Sequence, residues 1–374
     1  MLTLLGYVFK NLGRQKLRTA LAALGVTLGV WLVVVFSAVS AGALQTAQAM
    51  LTEFGEDFHC YKAGVADQFL SSLPETETRE NLRAVPGVAE TSSVLVWFSL
   101  APPASFVYLI GLHPDEFALK SLTDRGDGVF SSPDASEALL GAQLAERLGL
   151  EKGDDLEMEG VTLKVAGTFV TGKVLFDNAA VLPLARMQAD FRGGEDVANF
   201  LAVRIRDGES PADVADEIES RHPAISVVRT LEELSKVDQG LDKMKVWSVV
   251  ISVVATVIGW LFVMLAMVMA VFERTREVGI LRSVGWPKSK IVLIVLIEAV
   301  FLSILGVVVG IPTGILGVKL ISVVTDLGSY IEPSYEMALY LKALIVALAA
   351  AVIGGIYPAW RASRLHPVEA IRHE

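Results

Sequence analysis

Three groups of residues in this 374-residue chain have types and spacings that could do chemistry. The first is Gly167–Lys173, GTFVTGK, which fits G-x-x-x-x-G-K, the opening of a loop that cradles phosphate on successive backbone N–H groups. Such a loop needs Ser or Thr next, to reach Mg²⁺, and the next residue is Val174. It must also lead from a buried strand into a helix N-terminus. The surrounding VTLKVAGTFVTGKVLFDNAAVLPL is instead rich in β-formers on both sides. The expectation is a glycine-containing hairpin that holds no nucleotide.

The second group is His59, Cys60 and Tyr61, three candidate metal or haem ligands in a row. In a strand, successive side chains alternate between faces, so His59 and Tyr61 share one side and Cys60 points to the other. His113, His222, His366 and His373 fall at no ligand spacing, and tetrahedral sites need several donors converging. Cys60 is the sole cysteine and has no disulfide partner within the chain. No Ser–His–Asp set, paired cysteines or HExxH occurs. These residues read as structural, and the chain as a non-enzyme with no cofactor or metal of its own.

The third group is FERTREVGILRSVGWPKSKI, Phe272 to Ile291, where Glu273, Arg274, Arg276, Glu277, Arg282, Lys288 and Lys290 interrupt long apolar runs. As a helix, Val278, Ile280, Leu281 and Val284 form an apolar face, with Arg274, Arg276, Glu277 and Arg282 opposite. Gly285 followed by Trp286-Pro287 should end it. Such a helix can lie in a membrane interface or in a partner's groove. Glu298 follows as the one acid well inside an apolar run. An intramembrane acid is either functional or a carboxylate bonded to a neighbouring helix for structure.

The elements that must position these groups are set by composition. The chain is 53% hydrophobic yet 20% charged, and its mean hydropathy of +0.52 exceeds that of an ordinary soluble domain. The apolar residues are segregated into 20–44, 246–272, 291–325 and 341–358, each long enough for a hydrocarbon core. Residues 45–245 form one polar block with 18 Lys+Arg and 34 Asp+Glu. That acidity argues against a nucleic-acid partner. Lys10, Arg14, Lys16 and Arg18 precede the first run, five further cations lie between the second and third, and Arg361, Arg364 and Arg372 follow the fourth. The 326–340 loop has none. The positive-inside rule therefore puts both termini and the 273–290 insert in the cytoplasm and the large block outside. The N-terminus has signal-like features, including AVSAGA, but its apolar run is too long for a signal core.

Within the outer block, 58–65, 92–100, 106–112, 162–170, 179–184 and 200–206 read as strands. Residues 75–84, 136–148 and 211–221 read as helices, and 231–247 as a helix feeding the second span. The expectation is an α+β domain with two subdomains. Gly306, Gly310 and Gly314 line one face of the third span, and Gly25 and Gly29 do the same in the first, letting backbones approach within a subunit or across a dimer. Pro312 should bend the third span.

ERTREVGILRSVG, 273–285, resembles the signature of permease subunits of the MacB/FtsX superfamily of ABC transporters. The closing YPAWRASRLHPVEAIRHE and the outer LLGAQLAERLGLEKGDDLEMEGVTLKVAGTF resemble the same family. The resemblance covers essentially the whole chain. It implies a membrane protein of four transmembrane helices, arranged 1+3, with a large α+β extracytoplasmic domain between the first and second. The segments are then a cytoplasmic 1–19, spans at 20–44, 246–272, 291–325 and 341–358, an outer domain 45–245, a coupling helix 273–290, an outer loop 326–340 and a tail 359–374. It implies a bacterial inner-membrane permease dimer, of identical or related copies, on two ATPase subunits that bind ATP and Mg²⁺. ATP-driven movement of the outer domains would export, or extract from the outer leaflet, something amphipathic. The alternative is a mechanotransmitter regulating an extracytoplasmic enzyme. A periplasmic adaptor and membrane lipids are further partners. Glu273, Arg274, Arg276, Glu277, Gly279, Arg282 and Gly285 are implied as the ATPase-coupling set, and Arg361, Arg364, Pro367 and Glu369 as a second contact. With 19 residues before the first span, the ATPase is expected on a separate chain.

Overall fold

A computed structural model describes residues 16–65, 68–101, 104–123, 126–237 and 239–364. In chain order these form α1 (Lys16–Met50), β1 (Phe58–Lys62), β2 (Leu73–Pro74), α2 (Glu75–Arg83), β3 (Val88–Ala101), β4 (Ala104–Leu112) and α3 (Phe117–Thr123). Then follow β5 (Glu137–Gly141), α4 (Ala142–Leu148), β6 (Asp155–Met158), β7 (Val161–Phe169), α5 (Val174–Asp177), β8 (Ala179–Pro183), α6 (Leu184–Phe191), β9 (Val197–Ala198) and β10 (Phe200–Ile205). The rest is α7 (Pro211–Arg221), β11 (Ile225–Val228), α8 (Leu231–Val237), α9 (Gln239–Glu273), α10 (Thr275–Ser283), α11 (Lys288–Val324) and α12 (Met337–Ser363). The described parts of 1–40, 245–321 and 333–374 make one compact unit, and 41–244 with 322–332 the other.

In the helical unit, α1, α9, α11 and α12 are long and apolar enough to cross a membrane. Their packing turns on the glycines. A methyl group on Gly306, Gly310 or Gly314 would come within 2.5, 2.7 and 2.8 Å of Val26, Val30 and Val34 respectively. Thr27 Oγ1 donates to Gly306 O at 3.4 Å and Trp31 Nε1 to Thr313 O at 3.1 Å. The α11 stripe is therefore filled by α1 of the same chain. On the next face of α1, a methyl on Gly25 would collide with Phe262 of α9, and one on Gly29 would meet the Ala255 carbonyl at 3.0 Å. These glycine faces are thus occupied by helices of the same chain. The α11 helix continues through Pro312 to Val324, and Thr313 Oγ1 donates to Val309 O at 2.8 Å in that turn.

In the other unit one nine-stranded mixed sheet runs β11-β1-β10-β3-β4-β8-β5-β7-β6. The two expected subdomains share this sheet, because the long β3–β4 hairpin is hydrogen-bonded into both halves. One face packs on Ala47, Met50, Leu51 and Phe54 from the end of α1 and the turn after it. The opposite face is covered by α4 and α6 through Leu144, Ala145, Leu184 and Met187, and by α7 through Val214 and Ile218.

The segment read as a helix over 136–148 is instead β5 followed by α4. Ala138, Leu139 and Leu140 are all buried, with β7 and β8 on either side of the strand. A central strand apolar on both faces mimics helical periodicity over a few residues. The expected stop holds: Gly149 caps α4 with φ +66, the left-handed region that glycine enters freely. Strands β2, β5, β6, β9 and β11 and helices α3, α5 and α6 were not legible as such.

Candidate functional site

The charged insert is built as a short helix pinned at both ends. Helix α9 stops at Glu273, Arg274 takes φ −109 and ψ 17, and α10 starts at Thr275. Thr275 Oγ1 donates back to Val271 O at 3.1 Å and Phe272 O at 2.8 Å, satisfying carbonyls at the end of α9. At the far end, Gly285 N–H donates to Arg282 O and Trp286 N–H to Leu281 O, both at 3.1 Å, with Gly285 at φ +94. This 6→1 and 5→2 pairing is the Schellman arrangement, and it needs a left-handed residue at Gly285. Arg282 reinforces the turn by donating to the Trp286 carbonyl at 3.0 Å.

The facing of α10 departs from the helical-wheel expectation. Val278, Leu281 and buried Gly279 turn toward the helical unit, but Ile280 and Val284 are exposed beside Glu273, Arg276 and Glu277. Arg274, expected on the polar outer face, turns inward. Its side chain is 12% exposed, and its Nη1 donates to Glu298 Oε2 at 3.3 Å, where Glu298 is 3% exposed. Arg282 is also partly buried. A wheel assumes that charge faces out; here the buried acid of α11 attracts one of the cations and rotates the helix accordingly. The pair sits beside a cavity of about 40 Å³ lined by Met267, Val271, Val278, Leu281, Ile294 and Val295. Glu298 is thus bonded to a neighbouring helix, and that neighbour is the insert itself.

Of the second set, Arg361 stacks over Phe272 with 4.4 Å to the ring centroid and Arg364 over Trp360 with 4.2 Å. Both remain exposed. Arg361 therefore ties the end of α12 to the end of α9, next to the root of α10. Pro367 and Glu369 lie outside the described residues, as do Lys10, Arg14, Arg372, His366 and His373.

The outer unit places the other candidates in structural roles. His59 Nε2 meets Glu56 Oε1 at 2.8 Å and its Nδ1 meets Tyr61 Oη at 3.1 Å, with Phe200 stacked at 4.4 Å. Cys60 lies on the opposite face of β1 among Leu82, Val203 and Val227. Burial, together with the negative charge of Glu219, pushes its thiol pKa well up, so it is not a nucleophile at neutral pH. Among the described residues no group of three or more His, Cys, Asp and Glu side chains is placed to hold a metal.

GTFVTGK is not a hairpin. Strand β7 ends at Phe169 and α5 begins at Val174, while β5 lies between β7 and β8 in the sheet. The loop amides do bind an anion, and it is internal. Thr171 N–H donates to Asp177 Oδ1 at 2.6 Å and Gly172 N–H to Oδ2 at 3.1 Å. Lys173 pairs with buried Glu53 at 2.6 Å. The position a phosphate would take is filled by a carboxylate of the same chain.

Sequence reasoning missed a buried charge cluster. Glu75 opens α2 and accepts from Ser93 Oγ at 2.6 Å, with His113 Nε2 at 3.2 Å and Arg79 Nε at 3.1 Å. Glu116 accepts from Ser93 N–H at 2.7 Å, Ser92 Oγ at 3.1 Å and Arg83 Nη2 at 3.1 Å. Burial works to raise the Glu75 pKa, but the His113 and Ser93 hydrogen bonds and the Arg79 charge outweigh it and lower it to about 2. The available signal was Thr91-Ser92-Ser93, hydroxyls at the head of an apolar strand.

Comparison with known proteins follows the same division. The MacB-like periplasmic core domain matches residues 19–221, and the FtsX-like permease C-terminal region matches 249–367. The ABC transporter permease YknZ of Bacillus subtilis is 26% identical, over 96% of each chain. The macrolide export ATP-binding/permease protein MacB of Bdellovibrio bacteriovorus is 24% identical over 98% of this chain. The chain spans 61% of that relative's length. The solved extracellular domain of YknZ covers 46% of this chain and 98% of its own, with 17% identity and a TM-score of 0.37.

Proposed function

The chain belongs to the MacB/FtsX-type family of ABC transporter permeases, and from that membership we infer that it converts ATP hydrolysis by a separate cytoplasmic ATPase into movement of its outer domain. The observation that carries the coupling is the Arg274–Glu298 ion pair. It fastens the base of α10 to a buried acid three turns inside α11, so a push on α10 is delivered to a membrane helix rather than lost in a loop. A solvated surface pair would contribute little; a pair this buried holds its geometry, because separating the two charges weakens the compensation of each in an apolar setting.

The ATPase contact is the outward face of α10 and its two flanks: Glu273, Arg276, Glu277, Ile280 and Val284. Two exposed aliphatic side chains flanked by both signs of charge suit a protein groove better than water. Arg274 leaves the contact set and becomes the link, while Gly279, Arg282 and Gly285 shape the helix. Arg361 and Arg364 border the same cytoplasmic end. By the positive-inside distribution both termini are cytoplasmic, in a bacterial inner membrane.

The permease works as a pair of copies on two ATPase subunits, and its substrate is amphipathic, with a periplasmic adaptor as a further partner. Because the glycine stripes are consumed inside the subunit, the second copy meets other helix faces. The test is co-purification of the ATPase from membranes with Arg276→Glu/Ile280→Asp, both of which change exposed positions. Loss of the ATPase with retained folding supports the assignment; full retention and full ATPase activity overturn it.

A further inference from the structure

The β3–β4 hairpin ends in a surface that its own domain leaves uncovered. Thr91 to Leu112 contains no Asp, Glu, Lys or Arg, although the block around it is densely acidic. Alternation along the two strands sorts these side chains. Ser99, Val107 and Leu109 are buried on one face. Phe98, Leu100, Phe106 and Tyr108 share the other. Deeper in the sheet that second face, at Val94, Val96 and Ile110, is packed beneath the end of α1. Toward the tip the cover gives out: Phe98, Leu100 and Phe106 are 45%, 49% and 51% exposed, and neighbouring Leu70 is 74% exposed. Phe69, Phe98 and Tyr108 form an aromatic cluster there, with centroids 5.2–6.4 Å apart.

The chain itself fixes where this surface is. Tyr330 donates its hydroxyl to the Phe106 carbonyl, and its ring lies 6.5 Å from Phe98. Tyr330 belongs to the same compact unit as the hairpin, yet it is six residues past the end of α11 and seven before α12. The whole connection between those helices is only twelve residues long, 325–336. The hairpin tip thus holds a residue of the short connection between two membrane-length helices.

We propose that the exposed face of the β3–β4 tip, Phe98, Leu100 and Phe106 with Leu70, sits in the outer leaflet at the headgroup–acyl boundary and anchors the outer domain to lipid. The occupant follows from the chemistry. The surface is aromatic and aliphatic with no charge to complement a polar partner, and lipid is the phase that the adjoining spans already occupy. Exposed Phe and Leu side chains bury apolar area at the headgroup–acyl boundary. The absence of carboxylates spares it repulsion from lipid phosphates, which the rest of the acidic domain would experience. For an amphipathic substrate leaving the outer leaflet, the same tip is the part of the domain that meets it while still in lipid. The proposal rests on the reading that the domain lies outside, and not on coupling to an ATPase.

The experiment uses the full chain in phosphatidylcholine nanodiscs, without ATPase or nucleotide. Leu100→Cys and Phe106→Cys are labelled separately with an environment-sensitive fluorophore; buried Cys60 stays unlabelled. Asp216→Cys, exposed on α7 against the opposite face of the sheet, is the control. Both tip labels should lose roughly half their emission when a 5-doxyl lipid is included and resist aqueous iodide, as expected at an interfacial depth of about 5–10 Å. The control should show the reverse. Tip labels quenched by iodide as strongly as the control overturn the proposal. Tip labels shielded from iodide but indifferent to doxyl lipid overturn it too, since a protein then covers them. Failed ATPase coupling would leave these readings unchanged, so the two ideas fail separately.

Discussion

Removing one partner of the Arg274–Glu298 pair should cost more than removing both. Glu298→Gln keeps the size of the side chain but leaves the guanidinium, 12% exposed, without its counter-charge. Arg274→Met removes the cation beside a carboxylate that is 3% exposed. Breaking a buried pair from one side costs about 3–5 kcal/mol, whereas replacing both charges by neutral groups is near neutral. At 3.3 Å the contact is long for a charge-assisted hydrogen bond, which places the singles at the lower end, about 3 kcal/mol each. The double variant Arg274→Met/Glu298→Gln should then lose only about 1–2 kcal/mol, a coupling of about 4–5 kcal/mol. Thermal unfolding of the full chain in nanodiscs, as a double-mutant cycle at fixed lipid, reads this. If the singles lie within about 0.5 kcal/mol of the parent, or if they add in the double, the pair is not the rigid link assigned to it. ATPase stimulation measured on the same variants should follow the link rather than stability: the double, although folded, should stimulate less than the parent.

Four other outcomes follow. Gly310→Leu should lower stability by about 1–3 kcal/mol by overpacking against Val30, without changing the oligomeric state in detergent. A change of oligomeric state would return the glycine stripe to the dimer interface. Gly285→Ala, at φ +94, should cost about 1 kcal/mol and loosen the end of α10, read as reduced protection of its amides from hydrogen exchange. Glu75 holds a proton below its ordinary pKa when unfolded but only below about 2 when folded. Its ionised form therefore stabilises the fold above the ordinary value, and that contribution is lost as pH falls toward 2. Melting of Glu75→Gln should differ most from the parent near pH 7 and converge with it only as the pH reaches about 2. Cys60 should resist maleimide in the folded chain and react fully in denaturant, because burial raises its pKa and closes access.

The legible parts of this molecule were those where one residue type does one job. Four apolar runs became four membrane-length helices, since a single long apolar segment satisfies its own backbone in lipid only as a helix. Gly149 and Gly285 ended their helices where a left-handed residue was needed. The alternation His59, Cys60, Tyr61 was read correctly because strand period is fixed by geometry. What escaped was decided by tertiary context. Ala138, Leu139 and Leu140 look helical until strands are placed on both sides. The orientation of α10 depends on Glu298, 24 residues away, and a wheel drawn on α10 alone cannot include it. The Asp177 carboxylate that fills the GTFVTGK loop, and the shared use of Ser93 by Glu75 and Glu116, depend on which strands meet. The uncharged stretch through the β3–β4 hairpin was visible as composition, but its exposure was not.

The central claim is that nucleotide turnover on the cytoplasmic side moves the outer domain through α10. It is tested most directly by the distance between spin labels at Asp216→Cys in the two copies of a reconstituted complex, compared between nucleotide-free and vanadate-trapped states. The account predicts a shift of the distance distribution by several ångströms on trapping, and its loss in Arg274→Met/Glu298→Gln even where ATPase is bound. Identical distributions in both states of the parent complex, with hydrolysis proceeding, would contradict it.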